Sequence, residues 1–274
     1  MNLHAEKKKS LPVILYLLVA VTALFTPYFT GTLETATMVA VYVCCVLLFF
    51  AVTLYVYFQD QVLFTSILFF LLLFSFHPFM RCQERILDIN FTGITHVAPI
   101  LVYFISVFCF KRLKRTVTWI RCGKLETGTV ALMVTMTILS AAGLLVWVYF
   151  MKPDLGSVID TVPSWKVPLL VLGGIGFSIS NAFVEEFIFR GVLWDGLKRS
   201  FSAPLVTVLV QAAVFGGWHF RGVPGGAVGS SMVFIWGIFL GLIRQRSKGM
   251  LAPIIGHFFA DLTIFFILFV LSRW

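Results

Sequence analysis

GTVALMVTMTILSAAGLLVWVYF, residues 128–150, contains no charged side chain. As an α-helix rising about 1.5 Å per residue, such a run crosses the roughly 30 Å hydrocarbon layer of a bilayer. Within hydrocarbon a helix satisfies its own backbone amides, which an irregular chain cannot do. Charge-poor runs of the same kind recur on both sides of it, at about 11–29, 35–58, 62–79, 95–110, 167–194, 203–220, 228–243 and 250–271. The whole chain is 59% hydrophobic and only 12% charged, with a mean hydropathy of +0.98. A soluble domain does not carry that balance. The fold class expected is therefore all-α: a polytopic transmembrane helical bundle of about 8–9 spans. The range reflects Gln59-Asp60-Gln61, which either turns a tight hairpin between two spans or interrupts one.

The net charge of +9 would point to nucleic acid in a soluble protein. Here the cations gather in short loops, where they set topology, so the partner implied is the lipid bilayer and not nucleic acid. With the N-terminus inside, the inner loops hold 14 of them (Lys7–Lys9, Lys111, Arg112, Lys114, Arg115, Arg121, Lys124, Lys198, Arg199, Arg244, Arg246 and Lys248). The outer loops hold 6: Arg81, Arg85, Lys152, Lys166, Arg221 and Arg273. A multi-pass protein with a cytoplasmic N-terminus and an outside C-terminus is expected. Residues 111–124 then lie along the anionic inner leaflet. Lys7–Lys9 followed by an apolar run resembles a signal peptide, but no small-x-small cleavage site follows, so an uncleaved first helix is expected. Cys44, Cys45, Cys82, Cys109 and Cys122 form no CxxC pair and no zinc-like spacing, and they read as packing residues.

Composition changes near residue 151. Residues 1–150 read as transmembrane helices with no assigned role, and 151–274 as a helical core that carries chemistry. In the first part His77, beside Pro78, reads as a structural or interfacial histidine, and Asn90-Phe91-Thr92 matches a glycosylation sequon. No internal repeat supports a transporter architecture.

The second part is different. Glu185, Glu186, Arg190, His219, His257 and Asp261 all fall at membrane depth. Each charged group at a helix centre costs about 2.5–3.5 kcal/mol on insertion scales, so such groups are functional by default. In Asn181-Ala182-Phe183-Val184-Glu185-Glu186-Phe187-Ile188-Phe189-Arg190, Glu186 and Arg190 stand at i,i+4 and can pair. Glu185 is turned by about 100° from that pair, free of the cation and able to exchange protons. Phe215 and His219 share a helix face in the same way, as do His257 and Asp261. Ideal helices nevertheless leave Glu185 and His219 at levels roughly 10 Å apart. They meet only if the helix of Glu185 continues past Phe189-Arg190-Gly191, or if the helix of His219 is tilted or starts deep. The glycines and Pro224 around 222–229 suggest irregular backbone lining a wet cavity.

The three motifs, Glu185-Glu186-x-x-x-Arg190, Phe215-x-x-x-His219 and His257-x-x-x-Asp261, resemble in order and spacing those of the CPBP family. These are the CAAX proteases and bacteriocin-processing enzymes, intramembrane glutamic endopeptidases. The resemblance covers about residues 165–270. It implies that Glu185 is the general base activating water and that His219 holds the same water. It also implies that His257 is the oxyanion donor, aided by residue 261, with Glu186 and Arg190 as a supporting pair and Phe215 packed beside them. Prenyl-protein proteases of the family tend to carry Asn where this chain has Asp261. Asp261 donates a hydrogen bond only when protonated; when ionised it would orient His257 and support its charged form.

The expected activity is hydrolysis of a peptide bond in a membrane-associated or lipid-anchored peptide or protein, with no metal and no cofactor. Two other classes fit the same residues. A zinc protease would use Glu185, His219, His257 and Asp261 as ligands, although no HExxH helix is present. A non-enzymatic immunity factor, scaffold or transporter would keep the polar cluster only to tie helices together.

Overall fold

Long apolar runs without interior charge leave the backbone one economical choice, and the chain takes it. The computed structural model describes the backbone of residues 3–29, 35–87 and 94–273, and side chains within 10–26, 39–76 and 97–273, together with residue 37. The sequon at Asn90 and the side chain of His77 lie outside the described residues. In chain order the helices are α1 (Leu3–Phe29), α2 (Thr35–Gln59), α3 (Gln61–Leu87), α4 (Ile94–Cys109), α5 (Lys111–Lys114), α6 (Thr127–Met151), α7 (Gly156–Ile159) and α8 (Val167–Glu186). A π-helical segment (Phe187–Leu193) leads on to α9 (Trp194–Ser200). Then come α10 (Pro204–Trp218), a 3-10 turn (His219–Arg221), α11 (Gly226–Ser247) and α12 (Leu251–Leu271). No strand occurs among the described residues.

Five of the described helical runs are long and apolar enough to cross a membrane: Val39–Gln59, Thr127–Met151, Val167–Ser200, Gly226–Ser247 and Leu251–Leu271. Ser10–Thr26, Gln61–Phe76 and Val97–Cys109 are shorter apolar stretches. The chain is thus an integral membrane protein of helices, with five clear spans among the described residues. The run expected at 203–220 becomes the 15-residue α10, closed by the 3-10 turn.

The chain divides into two compact units. The first, Met1–Thr118 with Val192–Ser202, packs α1, α2 and α4 around α3. Its core is aromatic: Tyr42 and Phe49 both lie against Phe74, at 5.1 and 4.9 Å between ring centroids. These pairs and Tyr57 against Phe64 show α2 and α3 folding back on one another about Asp60, which resolves the hairpin alternative. Asp60 caps α3 by accepting from the Val62 and Leu63 amides at 3.0 and 3.2 Å. Buried Asp195 accepts from the amide of Thr118 at 2.6 Å and from its hydroxyl. It is an internal anchor of this unit.

The second unit, Trp119–Gly191 with Ala203–Trp274, packs α12 against α6 and α8, and α10 against α11. Two glycines permit these approaches. The Phe265 ring of α12 occupies the space where a Cβ on Gly174 would stand. A Cβ on Gly216 would meet Ser230 O and Phe234 Cβ, each at 2.8 Å. The hydroxyl of Ser230 donates to Gly216 O at 2.5 Å, so α10 and α11 are bonded at their closest approach.

Candidate active site

All the chemistry-bearing residues singled out in the sequence lie in the second unit. Glu185 and Glu186 end α8, and the helix does not stop there. It runs on through the π segment, so the continuous helical stretch Val167–Ser200 carries the two glutamates near its middle. α10, by contrast, is short and ends at Trp218, with His219 opening the 3-10 turn. A long helix and a short one therefore bring Glu185 and His219 together, removing the mismatch that ideal spans imply. π-segments within α-helices are common at functional sites, because they turn side chains off the regular 3.6-residue repeat.

Glu186, Arg190, Glu185, His257 and Asp261 are all buried. Arg190 Nη1 donates to Glu186 Oε1 at 2.9 Å, with both side chains at 0% exposure. The same oxygen lies 2.7 Å from His257 Nδ1. The guanidinium also stacks 4.2 Å from the centroid of Phe215. Phe215 stands edge-on to His219 and His257, with centroids 4.6 and 5.8 Å away, so this one ring touches the cation and both imidazoles.

The hydrogen bonds determine how each imidazole is turned. His219 Nδ1 lies 3.0 Å from the carbonyl of Phe215, which can only accept, so Nδ1 carries hydrogen. His257 Nδ1 faces a carboxylate already held by Arg190, and it donates too. Both rings then present Nε2 to the same atom, Glu185 Oε2, at 3.7 Å from His219 and 3.5 Å from His257. Oε2 has no hydrogen-bond partner among the described residues. Asp261 Oδ1 also lies 3.5 Å from His257 Nε2. Arg190 is bonded to Glu186, and Glu186, not Asp261, holds the Nδ1 side of His257.

Three residues of this network were not singled out in the sequence. Asn181, one turn before Glu185, donates from Nδ2 to Glu185 Oε1 at 3.2 Å and to Asp261 Oδ2 at 3.1 Å. Gln211 is fully buried one turn before Phe215 and donates to Gly237 O of α11 at 2.7 Å. Arg190 Nη2 reaches the same carbonyl at 3.5 Å. Arg244 looks like a loop cation in the sequence; it is buried, and its Nε donates to Arg190 O at 3.0 Å. The i,i+4 offsets of Asn181 and Gln211 from motif residues were a readable signal. Nothing in the sequence distinguishes Arg244 from the neighbouring topogenic Arg246 and Lys248.

A cavity of about 200 Å3 opens beside the imidazoles. Its walls come from α6, α10, α11 and α12 and are largely apolar, with Met136, Leu139, Met232, Ile235 and Phe239 among them. His219, His257 and Asp261 supply polar groups to it. An apolar cleft with a few converging polar groups is the usual form of a binding site. Among the described residues, no group of three His, Cys, Asp or Glu side chains is arranged to hold a metal ion.

Comparison with known proteins agrees with the motifs. Residues 167–263 match the family model described as type II CAAX prenyl endopeptidase Rce1-like, and the matched stretch contains all three motifs. No curated protein and no solved structure is significantly similar to the chain. The segment 167–263 is therefore an Rce1-like segment of the CPBP and CAAX protease family, carried by an integral membrane protein.

Proposed function

We propose that the protein is an intramembrane endopeptidase that hydrolyses a peptide bond in a membrane-associated or lipid-anchored substrate, using water activated by Glu185. The observation that carries this reading is the convergence of two imidazole Nε2 atoms on Glu185 Oε2, at 3.5 and 3.7 Å. With both Nδ1 atoms already donating, these three atoms are all acceptors unless an imidazole is charged. With His257 charged, its Nε2 donates toward Oε2, which leaves Oε2 and His219 Nε2 as two acceptors that the two hydrogens of one water molecule can serve.

In this mechanism Glu185 takes a proton from that water while His219 Nε2 accepts a hydrogen bond from its second O–H, which stays on the oxygen. The resulting hydroxide attacks the carbonyl carbon of the scissile bond. His257, flanked by Glu186 and Asp261 and in its charged form, donates from Nε2 to the oxygen on which negative charge develops. Glu185 then passes its proton to the leaving nitrogen as the carbon–nitrogen bond breaks. Glu186 and Arg190 hold His257 in place, and Phe215 keeps the two rings apart. The apolar cavity suits a hydrocarbon chain or apolar side chains next to the scissile bond. A cytoplasmic N-terminus is part of the same proposal; removing Arg244 from the loop cations leaves the sign of the charge bias unchanged.

The test uses purified full-length protein in lipid nanodiscs and two quenched-fluorescent peptides. One bears a farnesylated cysteine fourth from its C-terminus, and the other is the same peptide without the lipid. Cleavage by wild type that is absent in Glu185→Gln supports the reading. Faster cleavage of the farnesylated peptide assigns the lipid-anchored class. Cleavage that persists in Glu185→Gln contradicts the mechanism.

A further inference from the structure

We propose that Asn181 is a positioning residue of this site, because its amide donates to Glu185 and Asp261 at once and so aims the free oxygen of each carboxyl at His257. The proposal rests on the protease reading above and extends it to a residue outside the three motifs.

The geometry forms a closed ring. Asn181 Nδ2 lies 3.2 Å from Glu185 Oε1 and 3.1 Å from Asp261 Oδ2. On the opposite side, His257 Nε2 lies 3.5 Å from Glu185 Oε2 and 3.5 Å from Asp261 Oδ1. Each carboxyl therefore has one oxygen bound to the amide and the other facing the imidazole. An –NH2 group has two hydrogens diverging at a fixed angle, which suits it to bridging two acceptors. A hydroxyl has only one hydrogen to give, and a carboxylate has none.

The bridge also solves an electrostatic problem. Glu185 and Asp261 approach one another in a buried setting where like charges repel strongly. A neutral double donor between them stabilises both without supplying a proton that could be lost in turnover. It also restricts rotation of the Glu185 carboxyl about its terminal torsion, which is otherwise broad. Placing Oε2 for attack is a question of fractions of an ångström, and a misplacement of 1 Å can cost about 100-fold in rate. Asn181 sits on α8 and Asp261 on α12, two helices packed against each other, so the bridge ties their relative position to the geometry of the site.

The sequence offered only a weak hint of this role. Asn181 precedes Glu185 by one helical turn, but an uncharged amide does not stand out among membrane helices as a carboxylate does.

The test compares Asn181→Asp and Asn181→Ala with wild type and Glu185→Gln in nanodiscs, on the two peptide probes above. kcat and KM are measured separately, and folding is checked by thermal unfolding. Asn181→Asp keeps the shape of the side chain and replaces donors with acceptors. It is expected to lower kcat by about 100-fold or more, and Asn181→Ala by about 10- to 100-fold, with KM changed less than about threefold in each. A residue that only filled space would leave kcat of the isosteric Asp variant near wild type. If Asn181→Asp does not fold, Asn181→Ala carries the test. A kcat within about twofold of wild type in a folded variant overturns the positioning role, provided Glu185→Gln is inactive. Cleavage surviving Glu185→Gln instead overturns the Glu185 mechanism, and wild type cleaving neither probe overturns the protease reading; either result overturns this proposal with it.

Discussion

His257 Nδ1 lies 2.7 Å from Glu186 Oε1, the oxygen that Arg190 also holds at 2.9 Å. Glu186 therefore does two things with one atom. It balances a fully buried guanidinium, and it fixes how the His257 ring is turned, with Nδ1 on the carboxylate and Nε2 facing Glu185. On the protease reading, the chain Arg190–Glu186–His257 gives the pair a part in orienting the site as well as in tying helices together.

Removing that carboxylate has a twofold consequence. Glu186→Ala leaves Arg190 buried without its carboxylate, and breaking a buried pair costs about 3–5 kcal/mol. A lower yield and a reduced Tm in detergent are expected. Glu186→Gln keeps the volume and an acceptor oxygen but removes the charge. It is expected to lose less stability than Glu186→Ala and still to lose most of its cleavage activity. Circular dichroism melts and cleavage assays on the same preparations separate the two effects.

Arg244 tests whether the π segment matters to the site. Its Nε donates to the carbonyl of Arg190, within the segment Phe187–Leu193. A hydrogen bond from a charged donor contributes about 1.5–3 kcal/mol. Arg244→Ala is expected to lower Tm and to reduce kcat by disturbing the turn that carries Arg190. Arg246→Ala, near the same helix end and exposed, is the control and should do neither. Equal effects from both would show that the Arg244 bond has no special part in holding the site.

The approach of α10 to α11 is expected to be intolerant of added volume. A methyl group on Gly216 would meet Ser230 O and Phe234 Cβ at 2.8 Å, closer than carbon contacts allow. Gly216→Ala should therefore push α10 away from α11 and carry His219, less than one turn on, with it. Overpacking of this kind typically costs about 1–3 kcal/mol. Thermal unfolding and cleavage should both decline, whereas Gly176→Ala, which meets nothing within 4 Å, should leave both near wild type.

Much of this arrangement was legible from residue spacing, and the reasons for the remainder are physical. Periodicity placed Glu186 with Arg190 and turned Glu185 away from them, because i,i+4 geometry is local and survives tertiary context. The meeting of Glu185 with His219 was legible only as a condition, that the helix of Glu185 continue past Phe189-Arg190-Gly191, as it does. It depends on where helices end, and neither the π segment after Glu186 nor the early stop of α10 leaves a hydropathy signal. Arg244 was misplaced for a related reason. A charge near the end of an apolar run looks the same whether it enters water or turns inward to a carbonyl. Hydropathy likewise did not show that the run at 203–220 stops early as the 15-residue α10.

Metal dependence separates the two protease readings. With water activated by Glu185 alone, EDTA or 1,10-phenanthroline should leave cleavage unchanged. A zinc enzyme using His219, His257, Glu185 and Asp261 would be inhibited and restored by added zinc. Inhibition that zinc reverses would replace the mechanism proposed here.

The most direct measurement is the cleavage rate of folded Glu185→Gln protein, beside wild type, on the farnesylated and unmodified peptides. A glutamine side chain at this position keeps the size and placement of the glutamate but cannot take a proton from water. If Glu185 is the general base, cleavage falls to background while the melting profile stays that of wild type. Retention of cleavage in that variant would contradict the proposed role of Glu185.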